Sequence, residues 1–178
     1  MTKSIHVLHI KDIQHLDKDG NVLWEDHDLH NILHDEGEQY ILSAAFATTM
    51  ASYGAPPANL YLGLDTSTRT LGEADTLALV GENLSANGYD REALSTAGAG
   101  TVSDDFYITQ PASYYQAQSK IIEWTAITAP WTTVTKLFLT TAVTGTTGKL
   151  ICSVPLSTSR TLAIGDTIRC AMYIGLSE

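Results

Sequence analysis

The residues able to do chemistry in this chain are few, and their spacing works against them. His27, His30 and His34 recur at intervals of three and four, which on one helix would gather three zinc ligands on a single face. Asp35, however, has the marks of a helix start, so these histidines fall on the strand before it and at the junction. On a strand, positions 27 and 30 point to opposite faces. Solvated or hydrogen-bonded histidines are therefore the better reading. Asp17-Lys-Asp-Gly20 touches a calcium loop. With Gly20 at the sixth position, His15 stands first and Asp26 twelfth, where an acid and a bidentate Glu belong. Val143-Thr-Gly-Thr-Thr-Gly-Lys-Leu150 brushes a phosphate loop, but Val143 replaces its first Gly and Leu150 its final Ser/Thr. Asp104 and Asp105 are adjacent and would diverge on a strand, which is poor geometry for paired acid–base work. No Gly-x-Ser-x-Gly elbow occurs. No catalytic residue, metal site, cofactor or enzymatic activity is expected. Tyr114-Tyr115 with Trp124 and Trp131 are able to form a sugar-stacking platform, although aromatics at β positions more often serve the core or subunit contacts.

The bulk composition narrows the class further. The chain has 178 residues, 44% hydrophobic and 17% charged, which suits one globular domain spanning 1–178. Its 20 acids against 10 bases give a net charge of −10, with no basic cluster, so direct binding to nucleic acid is not expected. The opening residues have polar breaks where a signal peptide needs an apolar core, and no apolar run reaches the ~20 residues of a membrane helix. A soluble, cytoplasmically made protein is expected. Cys152 and Cys170 make neither a disulfide framework nor a metal knuckle. Each sits on the apolar face of an expected strand, so buried free thiols are the reading.

The elements that must position these residues are mostly strands. The exception is the stretch from Asn31 to Phe46. There Tyr40, Ile41, Ala44 and Ala45 recur at helical spacing and should pack one stripe against a sheet, with a helix over about 35–48. Asp35 is the expected cap, with Glu36 and Glu38 near the positive end. Strands are expected at Ser4–Lys11, Leu60–Leu64, Tyr89–Leu94, Phe106–Thr109, Ser119–Ile127, Val134–Thr141, Lys149–Pro155 and Asp166–Leu176. Asp19-Gly20 signals a hairpin turn between His15 and Trp24. Asp65–Asp75 reads as a polar loop. Turn signals at steps near ten to fifteen residues give the rhythm of a sandwich or barrel. Residues 1–30 would form an N-terminal arm or hairpin. The threonines of the 143–148 turn (Thr144, Thr146, Thr147) and the N-terminal Ile5 and Val7 lack core patterning, which makes them candidate inter-subunit contacts.

The order of these pieces resembles a class of small bacteriophage virion proteins found among head-decoration and tail-associated components. The resemblance is carried by Asn31-Ile-Leu-His-Asp-Glu-Gly37 and Tyr40-Ile-Leu42. It continues through Leu60-Tyr-Leu-Gly-Leu64, Gly88-Tyr-Asp-Arg91 and the closing Leu162-Ala-Ile-Gly-Asp-Thr167 with its last strand. In that class the first block commonly carries a capping Thr where His34 stands here. The resemblance covers about Asn31 to Leu176. It implies an all-β fold, a jelly-roll-like β-sandwich with one α-helix, in a protein of the virion. The first expectation is a capsid decoration (cement) protein bridging the major capsid protein as a homotrimer or homodimer. The other is a tail or fibre module that binds host surface glycan.

Overall fold

Threonine-rich alternating segments leave the backbone few ways to bury both its polar groups and its apolar side chains, and two stacked antiparallel sheets are one of them. In the computed structural model, which describes residues 9–46, 57–82, 88–110 and 115–175, the chain forms such a sandwich. The first sheet is built from β1 (His9–Leu16), β2 (Val22–His30), β6 (Phe106–Thr109), β7 (Gln116–Ser119), β8 (Ile122–Thr125) and β11 (Thr167–Gly175). Its order is β2-β1-β11-β7-β6, with β8 also on β11. The second sheet holds β3 (Ile32–Leu33), β4 (Asn59–Asp65), β5 (Glu92–Ser95), β9 (Trp131–Thr140) and β10 (Leu150–Leu162), in the order β3-β10-β9-β4-β5. Pairing is nested: β1 takes β11, β3 takes β10 and β4 takes β9. That nesting makes the sandwich jelly-roll-like.

The hairpin expected at Asp19-Gly20 joins β1 to β2. The Asp17 carboxylate accepts the N–H groups of Asp19 and Asn21 at 2.9 and 2.8 Å, and Gly20 supplies the φ of 83° that closes the turn. The first strand begins, among the described residues, at His9 and runs to Leu16, further along than the expected Ser4–Lys11; Ile5 and Val7 lie outside the described residues. Ile10, Ile13 and Leu16 place it in the core. The segment expected as one strand over Ser119–Ile127 is instead two. β7 pairs with Tyr173–Gly175 and β8 with Thr167–Cys170, so the chain shifts register along β11 at Lys120–Ile121. On β11 itself, Ile168, Cys170 and Met172 are buried as the alternation requires.

The one α-helix among the described residues, α1 (Asp35–Phe46), begins one residue earlier in function than the cap expectation. The Gly37 and Glu38 N–H groups donate to the His34 carbonyl at 2.7 and 2.9 Å, so Asp35 lies inside the first turn. The packing stripe also differs from the expectation. Gly37 and Tyr40 are buried and Ile41 packs against the core, but Ala44 and Ala45 are exposed. The close contact is made at the start of the helix: at Gly37 it touches the β10 backbone so closely that a Cβ would stand 2.0 Å from the Ile151 carbonyl oxygen, and past Ile41 only Ser43 is still partly buried. Leu42 and Phe46 are 59% and 85% exposed.

The second sheet is covered on both faces. Its inner face meets the first sheet through Leu62, Leu64, Val134, Leu137 and Leu139. Its outer face carries Phe138 and Leu150, over which the 66–82 loop lays Leu71, Leu77 and Val80. Free edges are blunted. The Asp105 carboxylate accepts the outward Ser95 N–H of β5 at 2.8 Å, and the Gly100 carbonyl accepts the Ile108 N–H of β6 at 3.0 Å. Cys152 and Cys170 are free and buried, one on each sheet, and burial pushes the Cys170 thiol up to about 12. Burial likewise raises Cys152.

Candidate functional site

Among the described residues, three constellations of buried charge survive in this mostly apolar interior, each held by its own hydrogen bonds. Asp65 is fully buried at the end of β4. Its carboxylate accepts the N–H groups of Ser67 and Gly81 at 2.7 and 3.1 Å and pairs with Lys136 Nζ at 3.2 Å. The Lys136 ammonium also donates to the Ser67 carbonyl at 2.7 Å. This pair fastens the start of the 66–82 loop to β9. His15 on β1 links Asp166, 3.1 Å from its Nε2, to Arg160, whose nitrogens stand 3.4 Å from Nδ1. A guanidinium only donates, so Nδ1 accepts and the Nε2 proton goes to Asp166. Arg160 also lies 5.2 Å from the centre of the Trp24 ring. An Asp–His pair alone is not a catalytic device. Its free imidazole nitrogen meets an arginine here, where a triad would present a nucleophile.

The third constellation opens to the surface. Arg91 enters just before β5, and its side chain is 3% exposed. It grips the Glu82 carboxylate with Nε and Nη2, and its guanidinium lies 5.2 Å from the centre of the Phe138 ring. Its remaining reach goes to the β9–β10 turn. Nη1 donates to the Ala142 carbonyl at 2.6 Å and Nη2 to the Gly145 carbonyl at 2.7 Å. Tyr89 completes the set: its hydroxyl donates to Glu82 at 2.9 Å and accepts the Leu64 N–H at 2.7 Å. Burial, then the Glu82 charge, hold the Tyr89 phenol far above its ordinary range. Gly63 is required beside it, since a Cβ there would meet Phe138 at 2.5 Å and the Tyr89 oxygen at 2.8 Å.

The result is an open groove of about 370 Å³ lined by Val80, Glu82, Asp90, Val143, Thr144 and Thr146, with Arg91 and Tyr89 as its floor. Thr144, Thr146 and Thr147 are all exposed on a turn whose Gly145 has a φ of 69°. Of the inter-subunit candidates, these three come together on one clasped turn. What the sequence did not reveal is the clasp. Glu82 carries no motif, and although Arg91 closes the Gly88-Tyr-Asp-Arg91 block of the resemblance, nothing in that block says its side chain is buried or what it grips.

The other candidates are dispersed. His34 is buried, its Nε2 2.9 Å from Ser153 Oγ and its Nδ1 3.3 Å from the Glu73 carbonyl, and burial lowers its pKa. His27 is exposed beside Asp12 at 2.8 Å, an interaction that raises its pKa. No group of three His, Cys, Asp or Glu among the described residues is placed to hold a metal ion. Trp124 and Trp131 are core residues, 3% and 1% exposed, and Trp131 meets the Tyr89 ring edge-on at 5.7 Å. Buried, they offer no face for a sugar beside the exposed Tyr115; Tyr114 lies outside the described residues. No helix among the described residues is long and apolar enough to cross a membrane.

A family model described as podophage GP4 fiber I protein gp80 matches residues 33–173, from β3 through α1 and the clasp to β11. The chain belongs to that family, and it is a structural protein of a bacteriophage virion. No curated protein matches it.

Proposed function

We propose that this chain is a fibre component of a podophage particle, a rigid β-sandwich unit with a structural and not a catalytic role. The observation that carries the reading is the extent of the family match, which runs over most of the sandwich. The family is described by a fibre and not by a head decoration, so the capsid-cementing role expected from the sequence gives way to the tail-or-fibre expectation. The partners in this reading are neighbouring fibre proteins and other copies of the chain. The clasped turn at Thr144–Thr147 serves as one contact, because a buried arginine fixing the carbonyls of a surface turn prepares that turn for docking at little further entropic cost. Sugar stacking is not part of the proposal, since Trp124 and Trp131 are spent on the core.

Copy number and position in purified virions test it. Quantitative mass spectrometry against the major capsid protein should give a few to a few dozen copies, and antibody-gold should mark the fibres. Particles lacking the protein should keep the heat resistance of their shells and lose adsorption to cells. Hundreds of copies on the head, with shells that break at lower temperature without them, would return the protein to the cement role.

A further inference from the structure

Among the described residues, nothing covers Leu42, Ala45 and Phe46 in the C-terminal half of α1. Leu42, Ala45 and Phe46, at spacings of three and four, form an exposed stripe, with Leu42 59% and Phe46 85% exposed and Ala44 exposed beside it. This stripe sits at the start of an unusual stretch of sequence: from Gln39 to Leu64 there is no Asp, Glu, Lys, Arg or His. The rest of the chain carries the net charge of −10. Two copies therefore repel, and an uncharged apolar face is where they approach with the least of that cost, since no like charges are brought into direct contact there. We infer that the Leu42–Ala45–Phe46 face of α1 is a contact between copies of this chain, packed against the same face of a second copy around a symmetry axis.

The charge argument selects the occupant. A basic partner would be drawn to the acidic surfaces and would find nothing to pair with on this stripe. A second copy brings an equally uncharged stripe, with Ala45 between two larger side chains to let the helices come close. The two partners also differ in the sign of their salt dependence. Screening weakens attraction to a basic partner but relieves the repulsion between two −10 chains, so self-association should strengthen as salt rises.

Analytical ultracentrifugation of the purified full chain over a concentration series is the test. The parent should associate, more tightly at high salt. Phe46→Glu and Leu42→Glu should each raise the concentration needed for association by roughly tenfold or more, because each buries a charge in every copy of the contact. Both positions are exposed, so the dilute variants should melt like the dilute parent. Ile127→Glu, at a residue 68% exposed elsewhere on the molecule, should leave association unchanged. An oligomer that persists in both helix variants overturns the inference, as does a parent that stays monomeric. In the second case thiol labelling of Phe46→Cys identifies the occupant: slow labelling means the chain's own segments cover the face, and fast labelling leaves it open to another protein. The result is separable from fibre location, which is read from virions and not from the purified chain.

Discussion

Arg91→Met should loosen the β9–β10 turn and cost a sizeable fraction of the protein's stability. The side chain is 3% exposed and supplies the donors for Glu82, for the Ala142 carbonyl and for the Gly145 carbonyl. Methionine fills a similar volume and keeps contact with Phe138, so packing is nearly conserved and the loss is electrostatic. Stranding one member of a buried ion pair costs about 3–5 kcal/mol. Glu82 is 19% exposed, and the turn carbonyls lie near the surface, so water recovers part of that. A net loss of about 3 kcal/mol follows, or roughly 6–12 °C in Tm for a chain of this size. Arg91→Lys keeps the charge but has one nitrogen where the site needs a fork, and should rescue less than half. Glu82→Leu combined with Arg91→Met removes both charges and should recover much of the loss. Differential scanning calorimetry reads the stability, and amide exchange at 143–147 reads the turn. A variant melting within a degree or two of the parent, with the turn equally protected, would refute the clasp.

Gly37→Ala tests the helix contact by its sign. Helix propensity alone predicts a gain of about 1 kcal/mol, whereas a Cβ placed 2.0 Å from a backbone oxygen of β10 should turn that into a net loss of about 2 kcal/mol or more by chemical denaturation. His34 should make stability pH-dependent. Its folded pKa lies below the ordinary 6.5, so as pH falls through that value the unfolded chain takes up a proton that the folded one resists. Stability should therefore drop below about pH 6.5, by up to about 1.4 kcal/mol per pH unit. His34→Gln should flatten the profile relative to the parent, with exposed His27, which acts in the opposite sense, common to both. Alkylation without reductant should leave Cys152 and Cys170 unlabelled in the native protein and label both after denaturation; a disulfide-linked peptide would contradict the buried, free thiols.

Much of the sandwich was legible because alternation and turn chemistry are local. β11 could be read residue by residue from Thr167 to Gly175, and the Asp17–Asn21 turn from its Asp and Gly. What escaped was whatever depends on a second segment. Ala44 and Ala45 have the helical spacing of core residues, yet the helix makes its close contact with Ile151 at Gly37 and both alanines are exposed. Phe138 breaks the one-sided pattern of β9 because a loop some sixty residues earlier in the chain, holding Leu71 and Leu77, covers it. The break between β7 and β8 is a register shift along β11 that no residue in Ser119–Ile127 announces. The clasp is the clearest case. Arg91 and the turn holding Gly145 could be picked out in the sequence, but not that one reaches the other or that Glu82 joins them, since the site exists only through the fold that assembles them.

The nested strand order also governs when this protein becomes a protein. β1 lies between β2 and β11, and its His9 end is matched to Tyr173, so one whole side of that strand waits for the last part of the described chain to be made. At roughly 5–20 residues per second, synthesis leaves the β1–β2 hairpin with a bare edge for on the order of ten seconds or more. Throughout that interval the apolar face bearing Ile10 and Ile13 has no β11 beside it, at whatever chain concentration a crowded host cell supplies. Such distant pairings are slow to form even after release. The hairpin carries Asp12, Asp17, Asp19, Glu25, Asp26 and Asp28 against Lys11 and Lys18, and a net negative charge beside an open edge is a general means of discouraging pairing with the wrong strand.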